Sequence, residues 1–264
     1  MKAFLELYKK EFKSLYSLGI IIIGSVFILQ LLFFVFVYRG GYIGIDDVFP
    51  LIFLLYLGIV LFYPILIFKV GSTKSLKKEC ERDTIYFILS LPRRGWQLIL
   101  VKFISLFSWN LLAPIINGFT LLVLSRIFIS GMNFRVLINK VIDLFDKGGF
   151  MGEIIVVIFI VYGISILIYF VEQFSFLLST FFNNEKIKRL ISFVVFFQVI
   201  YCLYRLNYVL RIVFDRLNLN FTILISREGV LFNTFDFLPV ITCLLGVMLL
   251  FAGSSFLIEK HMEV

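Results

Sequence analysis

The side chains that could do chemistry are few and far apart. His261 is the only histidine, so neither a His-built metal site nor a Ser-His-Asp arrangement is expected within the chain. Cys80, Cys202 and Cys243 form no paired framework, which predicts free thiols and no structural disulfide. Gly71-Ser72-Thr73-Lys74-Ser75 is faintly like a phosphate loop. It lacks the earlier glycine and the Gly-Lys-Ser/Thr ending, so no ATP site is expected here. Glu172 is the one acid inside an apolar run. A charge at mid-bilayer costs roughly 2.5–3.5 kcal/mol on insertion scales, so Glu172 should face a bundle interior. There it would contact a substrate or ion, or hydrogen bond a neighbouring helix, with Gln198, Lys186 and Lys188 as available partners. Asn110, Pro114, Asn117 and Gly118 recur at helical spacing and give one small, polar face, suited to helix packing or to lining a path. No paired-acid or Gly-x-Ser-x-Gly constellation accompanies these residues, which argues against an intramembrane enzyme.

The elements that would hold these residues are set by composition. The chain has 264 residues, 61% hydrophobic and only 16% charged. Soluble domains run at roughly 45–50% apolar and about 25% charged, so a soluble globular protein and a disordered chain are both excluded. An all-α integral membrane protein remains, a single transmembrane domain over 1–264. Six apolar runs fall at about 17–38, 48–68, 103–125, 154–180, 190–210 and 237–258, each long enough to cross a bilayer. Residues 1–16 read as an amphipathic helix on the inner membrane surface. Leu5, Tyr8, Phe12, Leu15 and Tyr16 lie on one side and Lys9, Lys10 and Lys13 on the other, as a topology anchor or a mechanical element. The fifth run is interrupted by Arg205 and Arg211, and the stretch to Asp236 reads as an irregular outer segment, interfacial or re-entrant.

Loop charge sets the orientation. With the N-terminus inside, the inner segments hold 16 basic residues and eight acids, and the outer segments nine and eight. The basic excess is therefore cytoplasmic and reads as topology, not as a nucleic-acid patch. Both termini are expected in the cytoplasm of a multi-pass plasma-membrane protein, with a bacterial setting expected.

Between the second and third runs lies Glu79-Cys80-Glu81-Arg82-Asp83-Thr84-Ile85-Tyr86-Phe87-Ile88-Leu89-Ser90-Leu91-Pro92-Arg93-Arg94-Gly95-Trp96 and on to Lys102. Asp83 or Thr84 can cap a short helix. Ile85, Ile88, Leu89 and Pro92 then share one apolar face, and Pro92 ends the helix. Gly95 lets the chain turn, and Trp96 suits the headgroup layer. An apolar face on a charged loop needs a partner.

This segment resembles the cytoplasmic loop of type-2 ABC exporter permeases, in which an acid, Gly-Thr, a leucine run, a small-Leu-Pro, an arginine and a lysine entering span three follow one another. Glu81, Thr84, Leu89, Ser90, Leu91, Pro92 and Lys102 fall on those positions, while Asp83 and Arg93 depart from the pattern. The motif covers about 25 residues; the six-span layout resembles the family over nearly the whole chain. The resemblance implies that the Thr84–Pro92 helix is a coupling helix. Glu81, Thr84, Ile85, Ile88, Leu89, Pro92 and Arg94 would meet a separate nucleotide-binding ATPase, which would hold the ATP and Mg. It also implies a second permease copy, or a homologous permease, beside this one in the lipid bilayer. The expected function is export of a substrate driven by that ATPase. A secondary transporter or channel is the alternative.

Overall fold

The computed structural model describes residues 2–39, 45–81, 95–129, 135–136, 139, 142, 151–182, 184–217, 222–224 and 234–262. Seven helices run through these residues: α1 Lys2–Ser14, α2 Tyr16–Arg39, α3 Ile45–Glu81, α4 Gly95–Phe128, α5 Met151–Ser179, α6 Glu185–Arg216 and α7 Leu238–Met262. Two short strands, β1 Thr222–Leu224 and β2 Thr234–Asp236, pair antiparallel with Ile223 opposite Phe235.

Six of the helices are long and apolar enough to cross a membrane: Tyr16–Arg39, Phe49–Gly71, Gly95–Phe128, Gly152–Ser179, Glu185–Arg216 and Leu238–Lys260. Large apolar side chains cover the outside of the bundle, among them Phe36, Phe62, Phe119 and Ile127. In water such a surface would drive aggregation; against lipid tails it is at home. The chain therefore has the build of a multi-pass membrane protein.

Several expected boundaries move. The third span starts at Gly95, well before the apolar run, because Leu98, Ile99, Val101 and Lys102 are already buried against neighbouring helices. Gly95 is a contact residue at the start of the described helix. Its N–H donates to Glu259 Oε1 at 3.1 Å, and a Cβ there would lie 2.6 Å from the Ser255 carbonyl oxygen. The fifth span, expected at about 190–210, runs on as α6 to Arg216. Arg205 stands about 30 Å along the axis from Glu185, the thickness of the hydrocarbon core, so its charge reaches the far interface without breaking the helix. Beyond α6, the stretch expected to be irregular contains the β1–β2 pair. Helix α3 runs through both Pro50 and Pro64.

The packing order is α2 and α3 on α4, α3 on α5, α5 on α6 and α7, with α7 also on α4 and α6. One core cluster joins α1 to the ends of α3, α4, α5 and α7 around Phe68, Phe103, Tyr169 and Phe170, whose rings lie 5.1–6.0 Å apart. A smaller cluster around Phe34, Ile52, Leu121 and Ile129 closes the opposite end of α2, α3 and α4.

Candidate functional site

Helix α1 does more than offer an apolar stripe to a surface. Its buried line is Leu7 and Glu11, continued by Leu15 just past its end, while Leu5 and, at the start of α2, Tyr16, both expected on the apolar face, are exposed. Glu11 carries the reason. Its carboxylate meets Lys102 Nζ at 3.3 Å, and both residues are 5% exposed. Around this pair the Tyr8 hydroxyl donates to Ser108 Oγ at 3.0 Å, and Trp109 Nε1 donates to the Phe12 carbonyl at 3.2 Å. The Phe12 and Trp109 rings stack with centroids 4.9 Å apart. Gly19 completes the joint, since any Cβ at that position would run into the Trp109 ring. A buried ion pair needs close geometry and further hydrogen bonds to offset desolvation. Here it fastens α1 to the first turns of α4, immediately after the segment that resembles a coupling loop. The sequence showed Glu11 as one more inner-loop charge; its pairing with Lys102, 91 residues away, had no local signal.

Asn117 and Asn110, singled out from the polar face of the third span, both lie fully buried on α4. Asn117 joins a layer across three helices. Its Nδ2 hydrogen bonds the Tyr63 hydroxyl, Gln30 Nε2 donates to the Asn117 carbonyl at 3.0 Å, and Thr120 Oγ1 donates to Gln30 Oε1 at 2.7 Å. Asn110 stands apart: neither polar atom of its side chain has a hydrogen-bond partner among the described residues. The two asparagines therefore do not form one continuous polar path with Glu172, which lies on α5.

Glu172 is half-buried and lines an open cleft of about 610 Å³ between α3, α5 and α6. Lys69 of α3 and Lys188 of α6 line the same cleft. Gln198, offered by the sequence as a partner, is exposed and does not line it. Lys69 directly follows the apolar run at 48–68, where it looks like an ordinary loop charge; only the fold brings it to the cleft that holds Glu172.

Of the residues that the resemblance assigns to ATPase coupling, Glu81 is the last residue of α3. Thr84, Ile85, Ile88, Leu89, Pro92 and Arg94 lie outside the described residues. Among the described residues no group of three or more His, Cys, Asp or Glu side chains could hold a metal ion. Cys202 and Cys243 are free thiols.

No family model, curated protein or solved structure matches the chain.

Proposed function

We propose that the chain is the permease subunit of a type-2 ABC exporter, a six-helix half-transporter driven by ATP hydrolysed on a separate nucleotide-binding subunit. The observation that carries this reading is the amino-acid sequence from Glu81 to Lys102, whose spacing of Thr84, Ile85, Ile88, Leu89 and Pro92 predicts a short helix with one apolar face, placed between the second and third of six candidate spans. The joint around Lys102 supports it. A push on the loop would reach α4 at its first turns and, through the Glu11–Lys102 pair, move α1 with it. Two such permeases and two ATPases would form the working unit, with ATP and Mg²⁺ held by the partner subunits and both termini of this chain in the cytoplasm. The basic excess of the inner segments supports that orientation.

A transporter or channel powered without ATP is the second reading. It is favoured by the cleft that brings two acids, two lysines and an arginine together, Glu172 among them. Replacing Leu89 with Arg separates the two. It places a charge on the proposed docking face, and a charge left unpaired in an interface costs about 3 kcal/mol or more, at least a hundredfold in affinity. The expected result is lost association with the ATPase and unchanged membrane insertion. Association at wild-type affinity would contradict the docking assignment.

A further inference from the structure

The cleft beside Glu172 has a layout that transport by itself does not require. Two helix faces form most of it. Helix α5 supplies Glu172, Ser175, Phe176 and Ser179, with Thr180 just past its end, and α6 supplies Glu185, Lys188, Arg189, Ser192 and three phenylalanines. Only five residues of sequence, 180–184, separate the two helices, so heights along them can be compared. Counted from residues 180–184, Ser175 stands level with Lys188 and Arg189, and Glu172 stands level with Ser192 nearly one turn further along. The phenylalanines Phe193, Phe196 and Phe197 lie one to two turns beyond Arg189 along α6. The cleft thus has a hydroxyl-bearing band with Lys188, Arg189 and Glu185, then the Glu172 carboxylate, and along α6 an aromatic wall.

Two observations say that a polar ligand atom belongs in the band. Ser175 lines the cleft, is only 1% exposed, and its Oγ has no hydrogen-bond partner among the described residues. A buried hydroxyl without a partner is costly to leave so. The band also carries the cations. Arg189 and Glu185 approach at 3.8 Å, but with side chains 81% and 82% exposed this i,i+4 pair is weak and leaves Arg189 available to a stronger anion. The first turn of α6 adds the positive end of its helix dipole. The aromatic wall is open, with Phe193 64% and Phe197 53% exposed, and it asks for an apolar chain. A volume of about 610 Å³ suits a ligand of that size.

We propose that this cleft binds an anionic amphiphile, a phosphate ester carrying an acyl chain, with the phosphate at Ser175, Lys188 and Arg189 and the chain along Phe193, Phe196 and Phe197. The claim concerns binding and does not rest on the exporter reading; it holds or fails whether or not an ATPase partner exists.

The test uses the purified full-length chain in detergent, with binding followed by native mass spectrometry. Dioctanoyl phosphatidylglycerol is the probe, dioctanoyl phosphatidylcholine the zwitterionic comparison, and inorganic phosphate the headgroup without a chain. Expected is saturable binding of the glycerol lipid, about tenfold weaker binding of the choline lipid, and weaker still of phosphate. Lys188→Gln with Arg189→Gln should weaken the glycerol lipid by about tenfold or more. Arg211→Gln with Arg216→Gln removes the same charge from the far, exposed end of α6 and should leave binding unchanged. Phe197→Ala, at an exposed position, should weaken the lipid and not phosphate. Equal loss in both arginine-containing double variants would reduce the effect to general charge and overturn the proposal. So would phosphate binding as tightly as the lipid, or a lipid affinity untouched by Lys188→Gln with Arg189→Gln.

Discussion

Breaking the Glu11–Lys102 pair should be among the most damaging single changes in the chain, and removing both partners should be mild. At 3.3 Å, with an effective dielectric near 20, the attraction is about 5 kcal/mol. That gain is offset by the desolvation of two groups that are each 5% exposed. Lys102→Met therefore leaves the Glu11 carboxylate buried without its cation, a loss of about 3–5 kcal/mol. Glu11→Leu leaves the ammonium in the same position, with a loss of similar size. The double variant buries two apolar side chains of comparable volume and should come back to within about 1–2 kcal/mol of the parent. The assay is thermal unfolding of the detergent-solubilised protein, followed by intrinsic tryptophan fluorescence. Trp109 reports directly, because its indole bonds the Phe12 carbonyl and stacks on the Phe12 ring. Each single variant should lower Tm by something on the order of 10 °C and shift the emission; the double variant should restore most of both. Losses that simply add in the double variant would refute the idea that the two charges stabilise one another across the joint.

Gly95→Ala should destabilise although alanine favours helix by about 1 kcal/mol, because the new methyl would meet the Ser255 carbonyl oxygen at 2.6 Å. Overpacking of this kind costs about 1–3 kcal/mol, and an unchanged or raised Tm would show that α4 and α7 do not approach so closely. Glu172→Gln keeps shape and hydrogen bonding. It should leave folded yield and monodispersity intact while transport falls by about tenfold, the size of one charge-assisted contact; full transport would remove Glu172 from the site, and loss of folding would show that its charge is needed for structure.

The sequence made the spans legible because apolar runs of membrane length are a strong one-dimensional signal. Tyr16–Arg39 and Leu238–Lys260 lie within a few residues of the expected limits. The ends were harder wherever a helix leaves the apolar run and goes on. Gly95–Lys102 mixes Trp96, Gln97 and Lys102 with leucines, and its helix is held by contacts with α7 and α1. Arg205 and Arg211 read as interruptions of the outer end of the span at 190–210 because hydropathy alone does not register that a 32-residue helix outruns the bilayer. The strands at 222–224 and 234–236 are three residues each, too short for an alternating pattern to show. The site divides in the same way. Glu172, Asn110 and Asn117 stand out in the sequence because polar groups are rare in apolar runs, though only Glu172 lines the cleft. Glu11, Lys69 and Ser175 were not, because a charge near a loop looks solvated and a serine is unremarkable in a helix until the fold shows what faces it.

The central claim is that a separate subunit supplies the nucleotide site. Its most direct measurement is photolabelling with an azido-ATP analogue of the complex captured through an affinity tag on this chain, from the membranes in which it is naturally made. The label is expected on a co-purifying polypeptide, displaced by ATP, absent from this chain and lost with Leu89→Arg. Label on this chain, or a captured sample that transports substrate while binding no nucleotide, would contradict the account.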